Sequence, residues 1–155
     1  MLTKLKAKKA EIARLREERG ATDPILIIAG IAITLILLVG GSFAISGFIA
    51  NANNLNAKGD LDRIATAQAA YLAENDGYQA DVDILGASSI GFTPTEGNPI
   101  EILVSDSGWV AMTESASGAK FVRSSEATAI LETTTGLALP AGIAQAAVDA
   151  AFAGL

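Results

Sequence analysis

The sequence predicts an α+β fold in which one long N-terminal helix packs against a small antiparallel sheet. Three observations support this prediction. An apolar run occupies Pro24–Ala50, a segment with helical periodicity follows it, and three short strand-like segments with glycine-containing turns come later. The later part of the helix and the sheet are each apolar on one side, so each can cover the apolar face of the other.

Charge is distributed unevenly along the chain. Residues 1–20 carry seven basic and three acidic residues, a net charge of +4, whereas the other residues carry four basic and fourteen acidic residues, a net charge of −10. A basic segment before an apolar run is typical of a chain oriented by a membrane, with its N-terminus in the cytoplasm and the rest outside. The acidic body argues against nucleic-acid binding, because phosphate contacts require a basic surface.

The composition also narrows the chemistry that the chain can perform. It contains no cysteine and no histidine, which excludes disulfides and thiolate metal sites and removes the commonest general base. We therefore predict that the protein is not an enzyme and has no cofactor. Glu74, Asp76, Asp81 and Asp83 form an acidic group, but their spacing matches no EF-hand, so a solvated loop is favoured over a calcium site.

Residues 1–19 are predicted to form a charged amphipathic helix. Either this segment is a cytoplasmic leader, or it is a basic flank that only sets the topology of the apolar run behind it. The run Pro24–Ala50 contains no charged residue. As a helix it would be about 40 Å long, which exceeds the ~30 Å hydrocarbon core of a bilayer. A helix that is apolar on every face favours a membrane span, and Pro24 suits its first turn.

A cleaved secretion signal is the alternative interpretation of this run. Ala50-Asn51-Ala52 supplies an A-x-A pattern, but the apolar region of a secretion signal is only about 7–15 residues long. Cleavage after Ala52 is therefore disfavoured.

The helix is predicted to continue beyond the apolar run to about Ala73, with possible fraying near Gly59. One face carries apolar or buried-type residues at helical spacing, namely Leu61, Ile64, Ala65, Gln68 and Leu72. The charged residues of this segment are predicted to lie mostly off this face: Asp60, Asp62, Arg63 and Glu74. Gly77 is predicted to end the helix in the left-handed conformation.

The remaining residues are predicted to form a globular head. Tyr78–Pro99 is expected to be a loop with one short strand near Ile90–Phe92. The strands of an antiparallel meander are predicted at Ile100–Val104, Trp109–Thr113 and Lys120–Ser124, with the glycines that end SDSG and ESASG at positive φ. Trp109 is interpreted as a core residue in preference to a ligand contact. A C-terminal helix is predicted within Pro140–Leu155, packed on the sheet or in a subunit contact.

This order of parts resembles the type IV pilin family and its pseudopilin relatives. The resemblance rests on a charged leader that ends at Gly20, an apolar helix directly after it, the continuation DLDRIATAQAAYLAENDGYQ, and a hairpin of the type GWVAMTESASGAKF. It covers nearly the whole chain in architecture. On this basis we divide the chain into a leader (1–20), a transmembrane or filament-core helix (21–50), an amphipathic continuation (51–76) and a head (77–155).

The resemblance implies that the protein lies first in the membrane and later in an extracellular filament. A prepilin peptidase would cut the membrane-anchored precursor between Gly20 and Ala21 on the cytoplasmic side, and would N-methylate Ala21. A pilus assembly platform with its ATPase would then move the subunit from the membrane into an extracellular helical homopolymer. This architecture serves adhesion, twitching motility, DNA uptake and protein secretion alike.

The departure from the family pattern that matters most concerns an acidic residue. The glutamate that pairs with the N-terminal amine of a neighbouring subunit would fall at Ile25, and the acid nearest to it is Asp23. Asp23 can pair with the Ala21 amine, or it can cap the helix ahead of Pro24. Gly40-Gly41 is a second candidate assembly feature, as a site of local unwinding in a filament or of close helix packing.

Three functional interpretations follow. The first is a filament subunit, the second is a bitopic membrane protein with a small extracytoplasmic binding or sensory domain, and the third is a membrane-tethered enzyme. The absence of histidine, cysteine and any nucleophile motif makes the third the weakest.

Overall fold

The computed structural model describes residues 24–87 and 91–155, and its architecture confirms the predicted α+β class. The elements in chain order are α1 (Pro24–Asn75), α2 (Val82–Ala87), β1 (Ile100–Ser105), β2 (Gly108–Glu114), β3 (Lys120–Ser124) and α3 (Gln145–Gly154). The chain divides into two compact units, Met1–Ser46 and Gly47–Leu155. The described part of the first unit is helical throughout and has no buried residue.

The second unit is built on a three-stranded antiparallel sheet in the order β1-β2-β3. Ile102 lies opposite Ala111, and Ala111 lies opposite Arg123. The predicted strands are confirmed, and β1 and β2 each extend slightly beyond the predicted bounds. Every residue of β2 except Glu114 is buried, because this central strand has a layer of structure on both faces.

The face of the sheet toward α1 carries the larger hydrophobic cluster. From the helix it contains Ala57, Leu61, Ile64 and Ala67, and from the sheet Ile102, Trp109, Ala111 and Phe121. The helical residues recur at three- and four-residue spacing, which places them on one side of α1. Trp109 is only 5% exposed, so its predicted place in the core is confirmed.

The opposite face of the sheet packs against α3. Val110, Met112 and Val122 form a cluster there with Val148 of α3 and Leu137. The C-terminal helix is therefore confirmed, and it packs on the sheet. It is shorter than the predicted segment, because Pro140–Ile143 forms a turn in which the Ile143 N–H donates to the Pro140 carbonyl and Gly142 has a φ of 89°.

The helix α1 differs from the prediction in its continuity and its end. It is unbroken through Gly59 and ends at Asn75. Burial of Ala57 and Leu61 on the sheet offsets the poor helix propensity of Gly59. The left-handed residue that follows is Asp76, with a φ of 53°, and not Gly77. Aspartate tolerates this conformation better than most residues, and the Asp76 N–H still donates to the Leu72 carbonyl at 3.0 Å.

The segment after α1 contains a short helix that the sequence analysis missed. Asp81 caps α2, because its Oδ1 accepts hydrogen bonds from the N–H groups of Asp83 and Ile84. Leu85 then fixes α2 to the core by burial. The strand expected near Ile90–Phe92 is wrong for Gly91 and Phe92, which lie outside any strand, and Ile90 lies outside the described residues.

The two hairpin glycines have different roles. Gly118 has a φ of 84°, which confirms the predicted positive φ. Gly108 is not among the positive-φ residues and is the first residue of β2. A Cβ atom at Gly108 would lie 2.7 Å from the Cβ of Pro140 and would also clash with the Ser125 hydroxyl. Its role is therefore close packing and not turn geometry.

Candidate membrane and assembly helix

The apolar first part of α1 carries its large hydrophobic side chains on the surface. Ile25 is 72% exposed, Phe43 is 76% exposed and Phe48 is 74% exposed. The most apolar 18-residue window of α1 has a mean hydropathy of 2.6, and none of its residues is buried. By length and composition this helix can cross a membrane, although a signal sequence near an N-terminus passes the same test.

The polar side chains in this part of α1 bond within the helix itself. The hydroxyls of Thr34, Ser42 and Ser46 each donate to the carbonyl four residues earlier, at 2.8 to 2.9 Å. These bonds hide the hydroxyl donors from an apolar environment, where an unsatisfied donor costs several kcal/mol. The segment therefore needs no polar partner from outside at these positions.

The glycines in this segment have open surroundings. A Cβ atom added at Gly30, Gly40, Gly41 or Gly47 would meet no described atom within 4 Å apart from the local helix backbone. Packing within the described residues therefore does not require glycine at these positions. Gly40 and Gly41 lie in regular α-helix, so they are not unwound in the single chain, and the prediction about unwinding in a filament stays a prediction.

Several predicted site residues cannot be compared with the structure. Gly20, Ala21 and Asp23 lie outside the described residues, so the proposed cleavage, methylation and amine pairing remain predictions. Ile25 does lie in the first turn of α1. Among the described residues, no group of three or more acidic side chains could hold a metal ion.

Within the second unit, polar side chains as well as the hydrophobic core attach the part of α1 after Ser46 to the rest of the head. The most buried of these is Asp60, which is fully inaccessible. Its carboxylate accepts hydrogen bonds from the Thr95 N–H at 3.2 Å, the Thr95 hydroxyl at 3.0 Å and the Asn98 amide at 3.0 Å. It also pairs with Arg63 at 3.3 Å. Such a set of donors stabilises a buried carboxylate.

The prediction that Asp60 lies off the buried face of α1 is wrong, because Asp60 is fully buried. A helical pattern could have located it, because Asp60 lies three residues after Ala57 and four before Ile64, and both of those residues are buried. The charge of the side chain suggested exposure instead. The donors that satisfy it, from Thr95 and Asn98, come from a loop far along the chain.

Two further polar links fix other points of the helix. The Asn54 side chain accepts hydrogen bonds from the hydroxyls of Ser115 and Ser117, each at 2.7 Å. The buried Gln68 side chain bonds both the N–H and the carbonyl of Gln79, which holds the chain directly after the helix. These hydrogen bonds fix the orientation of α1 on the head, because hydrogen bonds constrain geometry more narrowly than apolar contacts do.

One acidic residue on α3, Asp149, has a lowered pKa. The Thr134 and Gln145 side chains hold the pKa of Asp149 below its ordinary value by hydrogen bonding to the carboxylate, against a smaller opposing effect of burial. The Gln145 amide donates to the Asp149 Oδ1 at 2.9 Å. Asp149 is on the surface, so this is a local effect on α3.

No protein-family model and no curated protein sequence matches the chain. The resemblance to type IV pilins therefore rests on the order of the elements and on the residues quoted above.

Proposed function

We propose that this protein is a structural subunit of a type IV pilus-like extracellular filament. It would be made as a prepilin in the cytoplasmic membrane, cleaved after Gly20 and polymerised through its hydrophobic helix. The observation that carries the proposal is the contrast within α1. Its first part, residues 24–46, is apolar and exposed on all sides, whereas its last part is built into a folded head.

The exposed helix needs an apolar environment. Burial of apolar surface is worth roughly 25 cal/mol per Å², so this segment is unstable in water. Lipid provides one suitable environment, and a bundle of identical helices provides another. A subunit can leave the bilayer only when neighbouring helices replace the lipid around it. Removal of residues 1–20 would assist this step, because the leader carries the net charge of +4 that holds the chain at the cytoplasmic side.

The open glycines support helix-to-helix packing. Among the described residues, no neighbour requires the small size of Gly30, Gly40, Gly41 or Gly47. Small residues on an apolar helix allow another helix to approach closely. Head-to-tail contacts generate a growing filament when the rotation between successive subunits does not close into a ring. The role is structural, without catalysis.

The second candidate function is a bitopic membrane protein with a small extracytoplasmic domain. It is favoured by the same hydropathy and by the same basic N-terminal segment. It differs from the filament proposal in two testable respects, because the chain would keep its N-terminal segment and would never leave the membrane.

Intact mass spectrometry of the cell-surface form tests the two candidates directly. The filament proposal expects a chain that begins at Ala21, with the mass of one added methyl group if the new N-terminus is methylated. A chain that begins at Met1 supports the bitopic protein and rules out the filament proposal. A chain that begins at Asn53 would instead identify the apolar run as a secretion signal.

A substitution at the cleavage site provides the second test. We expect Gly20→Leu to block processing and to eliminate filaments from sheared surface material viewed by electron microscopy. Gly59→Ala is the matched control, since an added Cβ there meets no neighbour within 4 Å in the part of the chain that the structure describes, and processing should be unchanged. Normal processing and normal filaments in the Gly20 variant would overturn the proposal.

A further inference from the structure

The pair Asp76–Gly77, directly after α1, places a carboxyl group beside an unhindered backbone nitrogen. Asp76 is the one aspartate of the chain that precedes a glycine, and no asparagine precedes a glycine. In such a pair the glycine nitrogen can attack the side-chain carboxyl carbon of the aspartate and close a succinimide ring. Glycine favours this reaction because it has no Cβ to crowd the nitrogen. Asp76 is therefore the aspartate with the best steric access for ring closure.

The structure leaves both reacting groups without competing partners. Asp76 and Gly77 lie in a bend outside any helix or strand, and Asp76 is exposed. Among the described residues, none accepts a hydrogen bond from the Gly77 N–H, and none donates one to the Asp76 carboxylate. A nitrogen that donated to another group would have to break that bond before it attacked. Solvent water also has access to this bend.

The backbone of Asp76 gains little from its present conformation. Its φ of 53° is the one positive φ among the described residues other than glycine, and the left-handed region is unfavourable for a residue that has a Cβ. A reaction that changes the main chain at this residue therefore sacrifices less than it would within a regular helix.

The other described aspartates lack this combination of features. Four lie in helices, where the next N–H donates within the helix or its cap: Asp60, Asp62, Asp83 and Asp149. The carboxylate of Asp81 is occupied by its hydrogen bonds to the start of α2. Asp106 lies in the β1–β2 turn but precedes a serine, whose side chain crowds the nitrogen. The modification should therefore be selective for Asp76.

We infer that Asp76 is a site of spontaneous modification, at which the aspartyl residue becomes isoaspartyl through a succinimide. In the first step the Gly77 nitrogen bonds to the Cγ of Asp76, and one water molecule leaves, formed from the carboxyl hydroxyl and the N–H proton. In the second step a water molecule from the solvent opens the ring. Opening at the main-chain carbonyl carbon gives isoaspartate, whereas opening at Cγ restores aspartate.

The product should loosen the connection that follows α1. Isoaspartate adds one atom to the main chain between the Cα of Asp76 and the nitrogen of Gly77. This segment is held on both sides, because α1 ends at Asn75 and the Gln68 side chain bonds the N–H and the carbonyl of Gln79. A longer main chain between two fixed points no longer fits them both. We therefore expect the Gln79 N–H to lose protection from hydrogen exchange.

The inference does not rest on the proposed filament role, because both reacting residues belong to the folded head. Full-length protein in detergent is incubated for several weeks at physiological temperature in water enriched in heavy oxygen, and is then digested in ordinary water. Electron-transfer fragmentation of the separated peptides distinguishes isoaspartate from aspartate. We expect isoaspartate with one heavy oxygen at position 76 and none at Asp106. A synthetic peptide of residues 73–80 gives the reference rate, and the protein should react within about tenfold of it, which corresponds to about 1.4 kcal/mol of activation free energy.

A pair of glycine variants tests the role of the unhindered nitrogen. Gly77→Ala should slow the formation of isoaspartate about tenfold. The variant should fold, because the added Cβ meets only the Asn75 carbonyl oxygen, at 3.9 Å, which is an ordinary contact distance. Gly59→Ala is the control, since its surroundings are open in the described part of the chain, and it should react at the wild-type rate.

Three results would overturn the inference. The first is a rate in the folded protein more than about a hundredfold below that of the peptide, which would show that the fold protects the pair. The second is as much isoaspartate at Asp106 as at Asp76. The third is a Gly77→Ala variant that forms isoaspartate as fast as the wild type.

Discussion

The two parts of α1 lie in one continuous helix but satisfy their side chains in different ways. Residues 24–46 are exposed throughout, and their hydroxyls bond only to the carbonyl one turn earlier. The later part buries Ala57, Leu61 and Ile64 on the sheet and places the charged side chain of Asp60 in the interior. The first part needs only an apolar environment. The later part needs particular partners at particular positions.

The largest expected effect comes from the same leucine substitution made in each part. Leu61→Ala should lower the free energy of unfolding of the head by about 2–5 kcal/mol, because Leu61 is fully buried. Leu38→Ala should change it by less than about 0.5 kcal/mol, because Leu38 is 65% exposed. Chemical denaturation followed by Trp109 fluorescence measures both values. Similar losses in the two variants would refute the comparison.

The second prediction compares the loss of stability on replacing Asp60 with that on replacing Asp62, both in α1. Asp60→Ala leaves the donors of Thr95 and Asn98 unpaired and should cost about 3 kcal/mol. Asp62→Ala removes an exposed ion pair with Arg123 and should cost about 1 kcal/mol or less. The same denaturation assay measures this difference. A larger loss of unfolding free energy in Asp62→Ala than in Asp60→Ala would contradict the assignment of Asp60 as the main polar contact between α1 and the head.

The third effect concerns the exposed part and rests on the proposed filament. Gly41→Leu should leave the head as stable as the wild type, because no described atom lies within 4 Å of the added Cβ. It should lower the yield of filaments about tenfold, which corresponds to about 1.4 kcal/mol per subunit contact. Gly154→Leu is the control, since its surroundings are also open. Filament yields that do not differ between the two variants would argue against close packing at Gly41.

The smallest effect concerns Asp149 on α3. Its lowered pKa means that the carboxylate stabilises the fold above its ordinary pKa, and that this contribution is lost as the pH falls through the lower pKa of the folded state. Thr134→Val should raise the pKa of Asp149 toward its ordinary value, as measured by NMR titration. Thr133→Val, one residue away, should not change it. An unchanged pKa in the Thr134 variant would contradict the assigned cause.

Much of the head could be predicted because local sequence determines local structure strongly at some places. The three strands lie where alternating apolar residues and glycine-containing turns predicted them. The α2 helix could not be predicted in this way. It has only six residues, and it depends on a cap from Asp81 and on burial of Leu85 in the core. A helix of this length shows too few turns for a recognisable periodicity, and it is not stable in isolation.

The candidate site likewise has some features that could be predicted from the sequence and others that could not. Hydropathy alone identified the apolar run of α1, because a segment that is apolar on every face has few possible environments. Composition and the order of elements likewise led to the α+β class. The burial of Asp60 and the link from Asn54 to Ser115 depend on side chains that are far apart in the sequence. Only the tertiary structure decides such features, because a charged or polar residue becomes stable inside a protein only when distant groups supply its hydrogen bonds.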